Sequence, residues 1–233
     1  AGNISKPGAF YQVRYDGGGV HSIREIDQSK FPDNDDVAIP VDTGESQQDV
    51  GPMKDDGSIV DVMVVYTPSA RSAVGGTSAM NTLIDLAISE TNTSYQNSGV
   101  NHRLRLVHKA EVSYTENGFS AALSALTSKT DGNMDEVHTL RDQYGADEVV
   151  LLINDGSSCG LAWLMTTVST SFKTSAFAVA DHSCATGYYS FGHEIGHNMG
   201  ARHDRYVDTS NTPYDTSHGY VNVSGKWRTI MAY

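Results

Sequence analysis

The sequence predicts an α/β fold with a twisted, mostly parallel sheet, and two kinds of segment support this prediction. Ile59–Tyr66 is nearly continuous apolar sequence, as expected of a strand that is buried on both faces. Glu148–Ile153 is a second run of this kind, and stretches before it carry apolar residues at helical spacing. Strands that alternate with helices favour a parallel sheet with helices packed on it.

Helices and further strands follow at the expected intervals. The first helix has apolar residues three and four positions apart, and Gly99 is placed to end it; a second such helix is closed by Gly145. These apolar positions are Met80, Leu83, Ile84, Ala87 and Ile88 in the first helix, and Met134, Val137, Leu140 and Tyr144 in the second. Additional strands are predicted at residues 104–112, 161–165 and 176–180.

The first 54 residues differ from the rest of the chain. Residues 10–15 and 20–26 alternate between apolar and polar side chains around Gly17–Gly19, which predicts a β-hairpin. Residues 31–51 are rich in Asp, Pro, Gly and Gln and show little periodicity, which indicates an extended linker or processing region. We therefore expect a small β-rich segment at residues 1–54 and a larger domain at residues 55–233.

Composition narrows the classes of partner. The chain has 28 acidic and 16 basic residues and a formal charge of −12, which argues against nucleic acid and anionic membranes as partners. No segment approaches the roughly 20 apolar residues that span a bilayer. Residue 1 does not begin a signal peptide, so we expect that one is lacking or has been removed. We expect a monomer that has neither nucleic acid nor a membrane as its partner.

The chain has two cysteines, Cys159 and Cys184. Neither has the close cysteine partner of a zinc knuckle or a thioredoxin-like motif, so a single disulfide is predicted, with two free buried thiols as the alternative. The bond would close a loop of about 26 residues and contribute about 3–4 kcal/mol in the chain-entropy model. A disulfide implies an oxidising compartment and therefore a secreted protein.

Residues 190–204 carry the most informative pattern, Ser-Phe-Gly-His-Glu-Ile-Gly-His-Asn-Met-Gly-Ala-Arg-His-Asp. On a helix, one face is apolar and is expected to pack into the core, and Ser190 is predicted to cap the start. Gly200 is predicted to end the helix, because glycine accepts the left-handed backbone at a C-terminus. The apolar face consists of Phe191, Ile195 and Met199.

The opposite side of this helix predicts a metal site. His193 and His197 lie one turn apart with Glu194 beside them, and a reversal of the chain would return His203 to the pair. Three histidines on a tetrahedral Zn²⁺ leave one position for water, which is the arrangement of catalytic zinc; a structural site would need a fourth protein ligand. The alternative is a helix with two exposed histidines and an ordinary glutamate.

The extended pattern His193-Glu194-x-x-His197-x-x-Gly200-x-x-His203 resembles the motif of the metzincin metallopeptidases. The resemblance implies a metzincin (zincin-like) catalytic domain with one catalytic zinc. Glu194 is then the general base that takes a proton from water and passes it to the leaving amine.

A second stretch, Thr-Ile-Met-Ala-Tyr at residues 229–233, is similar to the metzincin Met-turn. The resemblance implies that Met231 forms an apolar floor under the zinc histidines. Tyr233 stands where astacin-like and serralysin-like enzymes have a tyrosine that binds zinc or stabilises the oxyanion. Asp204 instead resembles the adamalysin (reprolysin) branch, so a catalytic role and plain packing both stay open for Tyr233.

Residues 60–71, 159–163 and 184–204 resemble the secreted bacterial reprolysin-like enzymes called peptidyl-Asp metalloendopeptidases. Residues 18–32 are similar to the end of that family's propeptide. The resemblance implies a prosegment that acts as an intramolecular inhibitor. The first fifty residues contain no cysteine, which excludes a cysteine switch. The carboxylates of Asp16, Asp27 and Asp33 are candidates for blocking the metal.

The resemblance also implies protein or peptide substrates. Gly160, Leu161 and Ala162 are predicted to lie on the edge strand along which a peptide binds; an internal strand pinned by the disulfide is the alternative. Cleavage on the amino side of aspartate needs a nearby cation. Arg202, Lys226 and Arg228 are the candidates, each alternatively a surface charge, and Arg228 is preferred.

Three further expectations complete the interpretation. The rival function is a catalytically silent reprolysin-like binding module, although such modules typically lose the glutamate or a ligand. Residues 33–36 and 204–208 are acidic enough to bind calcium but lack EF-hand spacing, so solvated loops are favoured. The chain stops directly after the predicted Met-turn, where a C-terminal helix is expected, so a fragment, a processed product or a missing end is expected.

Overall fold

The computed structural model describes residues 2–6, 9–32, 38–40 and 58–233. Ten strands and five α-helices lie in this part of the chain. The strands are β1 (Gly2–Lys6), β2 (Ala9–Gly17), β3 (Val20–Glu25), β4 (Ile59–Tyr66), β5 (Arg103–Glu111), β6 (Glu148–Ile153), β7 (Gly160–Ala162), β8 (Phe177–Asp181), β9 (Val221–Asn222) and β10 (Trp227–Arg228). The helices are α1 (Pro68–Ala73), α2 (Thr77–Asn97), α3 (Phe119–Thr127), α4 (Glu136–Tyr144) and α5 (Ser190–Asn198).

The main sheet has five strands in the order β5-β4-β6-β8-β7. The first four are parallel, and β7 pairs with β8 in the antiparallel direction, with Leu161 opposite Val179. The predicted α/β class with a mostly parallel sheet is therefore confirmed. The strands β4 and β6 have the predicted bounds, because an apolar run buried on both faces admits few other interpretations.

Helices cover both faces of this sheet. Val64 of β4 faces Ile84 of α2 and Ile195 of α5, whereas its neighbour Val65 faces the opposite layer. That layer is formed by α3 and α4, which contribute Leu123, Leu126 and Val137. Alternate residues of one strand thus enter two cores, as the pleat of a strand requires. His193 and His197 lie on α5, and the apolar face of this helix packs against the sheet.

The termini of the helices agree with the predicted glycine stops, but the predicted N-cap of α5 is wrong. Gly99 and Gly145 have φ values of 72° and 63°, in the left-handed region. Ser190 is the buried first residue of α5 rather than its cap. Tyr189 occupies the N-cap with φ 70° and makes no side-chain capping bond. The chain therefore enters α5 through a left-handed residue that no local sequence rule indicates.

The N-terminal residues form a separate three-stranded antiparallel sheet. The predicted hairpin is present as β2 and β3, and β1 adds a strand with Ile4 opposite Tyr11. We call residues 2–32 with these strands the N-terminal sheet. The predicted boundary near residue 54 and the acidic residues 33–36 lie outside the described residues, except for fragments of the linker at 38–40.

Cys159 and Cys184 form a disulfide with their Cα atoms 5.4 Å apart, so the single-bond prediction is confirmed over two free thiols. Both residues are fully buried, and Tyr188 and Phe31 pack around them. Within the described ranges, no helix is long and apolar enough to cross a membrane.

Candidate active site

The structure brings His193, His197 and His203 together in a buried cluster. The first two project from α5, and the chain then reverses at Gly200, whose φ is 85°. A side chain at Gly200 would meet Pro213 at 2.7 Å, so glycine is required there for space as well as for conformation. This reversal returns His203 to the helix.

The three Nε2 atoms form a nearly equilateral triangle. Their separations are 3.0 Å between His193 and His197, and 3.1 Å from each of these to His203. A tetrahedral ion with bonds of 2.0–2.1 Å would set its ligand nitrogens about 3.3 Å apart, close to the spacing observed. Within the part of the chain that the structure describes, this is the one group of histidine, cysteine or carboxylate ligands placed to share an ion.

Hydrogen bonds at the other ring nitrogens orient two of the histidines for metal binding. His193 Nδ1 lies 2.8 Å from the carbonyl oxygen of Ile230, and His197 Nδ1 lies 2.8 Å from that of Ala201. A carbonyl only accepts, so Nδ1 carries the proton and Nε2 keeps its lone pair. Burial lowers the pKa of His193 to about 3, and it lowers the pKa of His197 well below its ordinary value. Both rings are therefore neutral, the form that binds zinc.

Glu194 is also buried, and its side chain lies against the strand β7. Its side chain occupies the space beside Gly160, where an added Cβ would lie 2.6 Å from both Cγ and Cδ of Glu194. Gly160 has no positive φ, so the reason for glycine at this position is space. The predicted base and the predicted substrate strand are thus in direct contact.

Met231 lies beneath α5 at Gly196. A Cβ on Gly196 would stand 2.6 Å from Met231 Sδ. The turn that carries Met231 is closed by a bond of 3.1 Å from Ala232 N to Thr229 O, and its Ile230 carbonyl is the one that binds His193. The residues of the predicted Met-turn therefore contact α5 at two points. Because α5 carries His193 and His197, we call it the metal helix.

Asp204 and Tyr233, which point to different branches in the sequence, are partners in the structure. The buried Asp204 carboxylate accepts from Tyr206 N at 2.9 Å and from Tyr233 N at 3.2 Å. The Tyr233 ring packs edge-to-face on the His203 ring, with 4.4 Å between centroids. Asp204 therefore links the predicted Met-turn to the loop that carries His203.

The acidic residues 204–208 have protein partners rather than a calcium-like arrangement. Asp208 pairs with Arg202 at 2.7 Å and accepts from Ser210 N at 2.9 Å. The carboxylate of Asp204 is bonded to backbone amides, as described above. These contacts favour the structural interpretation of this stretch over calcium binding. Residues 33–36, the other calcium candidate, lie outside the described residues.

The three candidate cations for aspartate recognition differ in their surroundings. Arg202 is buried and bound to Asp208 and Thr212, whereas Lys226 is exposed. Arg228 is half-buried, donates to Ala232 O and lies 5.3 Å over the Tyr188 ring. Its charge also acts on His193, where it lowers the pKa. Arg228 is therefore the candidate that adjoins the histidine cluster.

The edge of β7 carries a contact from the N-terminal part of the chain. Ala38 N donates to Ala162 O at 3.0 Å, and Leu164 N donates to Ala38 O at 2.7 Å. Ala38 and Trp163 pair in the parallel direction. The strand β7 is last in the sheet order, as expected of an edge strand, and a residue of the predicted linker lies along it.

The proposed metal-blocking aspartates are engaged elsewhere. Asp16 forms an ion pair of 2.8 Å with Arg24, and Asp27 accepts from Ser29 N at 3.1 Å. The Ser29 hydroxyl also donates to Asp27 at 2.7 Å, and this bond is the main reason that the pKa of Asp27 is lowered. Asp33 lies outside the described residues. The structure thus gives no support to Asp16 or Asp27 as metal-blocking groups.

Two residues that support the site were not predicted from the sequence. Asn198 Nδ2 donates to the carbonyls of Trp163 (2.7 Å) and Phe177 (3.2 Å), which ties α5 to β8 and to the residue after β7. Glu90 on α2 holds the loop ahead of α5 through Gly187 N. Asn198 follows the predicted ligand His197 directly, and this position is a signal for its role. No residue pattern around Glu90 indicates that it supports the site.

A cavity of about 1360 Å³ in the described part of the chain is not lined by any of the three histidines. It borders the glycine side of α5, at Gly192 and Gly196, and extends to Tyr95 and Glu148. Glu148 is buried, and its Oε2 has no hydrogen-bond partner within the described part of the protein. Glu194 does not line this cavity either, whereas Arg228 and Met231 do.

Comparison with known proteins agrees with the geometry. Residues 56–233 match the Reprolysin_5 model, described as metallo-peptidase family M12. A protein of Stenotrophomonas maltophilia named peptidyl-Asp metalloendopeptidase is 41% identical over 243 residues, which is 100% of this chain and 56% of that protein. One of the same name from Xanthomonas campestris pv. campestris is 38% identical over 240 residues, with the same coverage.

The chain spans 56% of the length of these curated relatives. A solved structure titled "Structure of a chaperone-substrate complex" has a TM-score of 0.58 and 22% identity, over 75% of this chain and 30% of the other, which shows a shared fold. The family match covers the sheet, the three histidines and the turn that carries Met231. The chain belongs to the reprolysin-like metallo-peptidase family M12.

Proposed function

We propose that this chain carries the catalytic centre of a zinc-dependent endopeptidase. The observation that carries the proposal is the convergence of three Nε2 atoms within 3.0–3.1 Å of one another. The buried Glu194 follows the first of these histidines directly in the chain. His193, His197 and His203 are the proposed ligands, with Gly200, Asp204 and Met231 as their support. A Zn²⁺ ion at this site would supply the Lewis acidity for the scissile carbonyl and for the attacking water.

The residues of the chain supply the other parts of peptide hydrolysis. Glu194 takes the proton of the attacking water and delivers it to the leaving amine nitrogen. Gly160, Leu161 and Ala162 present backbone groups to an extended peptide, which would align the scissile bond beside Glu194 without requiring a particular side chain. The contact between Gly160 and Glu194 supports this arrangement, because the base lies directly against the strand.

The test of this function is the variant Glu194→Ala, assayed with the wild type for zinc content and for hydrolysis of a denatured protein. We expect equal zinc content and a rate that falls by about 10²–10⁴-fold, the usual contribution of a general base. Both proteins are assayed after removal of residues 1–54, so that latency does not mask activity. Equal rates in the two proteins would favour a catalytically silent binding module.

Tyr233 is proposed to act either through its ring or through its hydroxyl. The edge-to-face contact with His203 supports orientation of that ligand by the ring. Tyr233→Phe keeps the ring and removes the hydroxyl. A variant with wild-type kcat would assign the role to packing, and a loss of kcat at unchanged zinc content would assign it to the hydroxyl at the oxyanion.

Aspartate preference is proposed by analogy with the relatives, which are named for it. Arg228 is the cation proposed to meet the substrate carboxylate, since it is half-buried and adjoins the histidine cluster. In Arg228→Gln, we expect cleavage before Asp to fall about 10–100-fold relative to cleavage before Asn, because a desolvated carboxylate loses its partner. The exposed Lys226→Gln is the matched control; an unchanged Asp-to-Asn ratio in Arg228→Gln would contradict the assignment.

Residues 1–54 are proposed to be a prosegment that inhibits the enzyme intramolecularly. The support is Ala38, which pairs with the outer edge of β7 through two backbone hydrogen bonds. Because this is the edge proposed for substrates, the two would compete for the same N–H and C=O groups. Secretion is proposed from the disulfide, which persists in oxidising compartments.

A further inference from the structure

A buried carboxylate lies behind the metal helix and has no part in the proposed chemistry. Glu90 of α2 is 5% exposed. Gly187 N donates to both of its oxygens at 3.0 Å, and Asn3 Nδ2 donates to Oε1 at 3.0 Å. Burying a carboxylate is costly unless it is bonded, so the interactions at Glu90 must offset that cost.

The loop that Glu90 holds leads directly into α5. Gly187 stands three residues before Ser190, the first residue of the helix. The side chain of the N-cap residue Tyr189 makes no capping bond, and the first two amides of α5 bond to the carbonyls of Cys184 (3.3 Å) and Ala185 (3.4 Å). The direction of the helix therefore depends on how the preceding loop is fixed.

The neighbour of Glu90 contacts the helix itself. Thr91 is buried, and its Oγ1 lies 2.8 Å from the position that a Cβ on Gly192 would take. Gly192 immediately precedes the ligand His193 in the sequence. Two consecutive residues of α2 thus contact the loop and the first turn of α5.

The N-terminal sheet binds the same loop. Arg14 Nη2 donates to Thr186 Oγ1 at 2.9 Å, and Gln28 Nε2 donates to Gly187 O at 2.9 Å. The Phe10 ring stacks on that of Tyr189 with 6.4 Å between centroids. Through Asn3, the sheet also reaches Glu90 itself, so the sheet and the loop share one buried carboxylate.

We propose that Glu90 is a positioning residue for the metal site. It fixes the loop at residues 184–189, and with it the direction in which α5 presents His193. The N-terminal sheet contacts the same loop and the same carboxylate. The inference rests on the proposed metal site of the M12 fold. Its first readout is metal binding, so it can fail separately from the proposed peptidase activity.

The experiment uses the full chain with Glu90→Ala, Glu90→Asp, Glu90→Gln and the control Asn3→Ala. Zinc affinity is measured by competition with a chromophoric chelator, and ligand geometry by the visible spectrum of the Co²⁺ form. We expect Glu90→Ala to bind zinc about 10–100-fold more weakly, as for other residues that orient metal ligands, and to alter the Co²⁺ spectrum. Asn3→Ala keeps both Gly187 bonds and should bind zinc as the wild type does.

The two conservative variants separate positioning from general stability. Glu90→Gln keeps one acceptor for Gly187 N and should restore most of the zinc affinity. Glu90→Asp keeps the charge but shortens the reach, and should bind zinc at least about fivefold more weakly, a smaller loss than that of Glu90→Ala. In variants that retain peptidase activity, kcat should fall with little change in KM.

Wild-type zinc affinity and Co²⁺ spectrum in a folded Glu90→Ala protein would overturn the proposal. If Glu90→Ala does not fold, Glu90→Asp decides, and wild-type zinc binding in that variant would overturn it equally. A wild-type protein that binds zinc as the full chain but hydrolyses no peptide after removal of residues 1–54 would instead count against the proposed function and leave the role of Glu90 standing.

Discussion

At the scale of single residues, glycines set how closely other groups approach the proposed base and ligands. Gly160 leaves the space that the side chain of Glu194 fills, and Gly196 leaves the space for Met231. These are ordinary backbone conformations, so the restriction is steric. Glycine is therefore required at both positions, because a side chain there would displace Glu194 or Met231.

Gly160→Ala tests this restriction. The new Cβ would lie 2.6 Å from Cγ and Cδ of Glu194, so the carboxylate must shift. We expect kcat to fall about 10²-fold, because a displacement of about 1 Å at a catalytic group has effects of that size. Zinc content should not change, since none of the three proposed ligands contacts Gly160.

A double-mutant cycle with Glu194→Asp identifies the cause of that loss. Aspartate is shorter by one methylene and should fit beside the methyl group added by Gly160→Ala better than glutamate does. The two effects on kcat should therefore be smaller together than their sum. Purely additive effects would show that Gly160 acts elsewhere, for example on peptide binding.

At the scale of elements, the strand β7 connects two parts of the proposed mechanism. One of its edges pairs with β8, and Ala38 lies along the other. The disulfide at Cys159 joins the start of this strand to Cys184, whose carbonyl accepts from Ser190 N at the beginning of α5. The strand and the metal helix are therefore linked covalently as well as by packing.

Ala38→Pro should release the outer edge of β7. Proline has no N–H, so the bond of 3.0 Å to Ala162 O is lost. A net hydrogen bond contributes about 1 kcal/mol, and basal peptidase activity of the full chain should rise about fivefold. Ala38→Ser keeps the backbone bond and is the control. Equal activity in the two variants and the wild type would mean that this contact does not limit access to the strand.

At the scale of the whole molecule, the chain buries several carboxyl groups within an acidic protein of net charge −12. Glu148 is 7% exposed and borders the large cavity. Burial raises the pKa of Glu148 from 4.5 to about 8, and burial raises that of Glu90 to about 7. The folded protein therefore holds these protons more tightly than the unfolded chain does.

This difference predicts how stability depends on pH. The contribution of Glu148 is fully present below about pH 4.5, the value in the unfolded chain, and is lost as the pH rises towards 8. Glu148→Gln removes the titration, so at pH 8 the variant should be more stable than the wild type by on the order of 3 kcal/mol. Urea unfolding from pH 5 to 8 measures this, with the exposed Glu136→Gln as control. A parallel pH dependence in wild type and Glu148→Gln would contradict the prediction.

The sequence predicted those features that depend on neighbouring residues. The bounds of β4 and β6, the glycine stops at Gly99 and Gly145, and the grouping of the three histidines all follow from local patterns. The short helix α3 and the strand β1 were missed. In α3, Phe119, Ala122, Leu123 and Leu126 do recur at helical spacing, so this helix could have been predicted from the sequence.

Other features arise only when distant segments meet. Ser190 does not cap α5, because the helix begins one residue earlier than predicted and Tyr189, in the left-handed region, occupies the N-cap. Glu90 and Gly187 are separated by 97 positions, and Asp204 and Tyr233 by 29. Each pair carries a contact that no spacing rule indicates. The support of the site was therefore less predictable than its ligands.

The glycines in and directly after α5 have one further consequence, which concerns how the site forms. Gly192, Gly196 and Gly200 recur every four residues, and their spaces are filled by Thr91, Met231 and Pro213. Glycine disfavours an isolated helix by about 1 kcal/mol at each interior position, and nine residues are too few for a stable helix in water. The helix α5 is therefore ordered by the elements that pack into it, so the three histidines are expected to come together only when the whole domain folds.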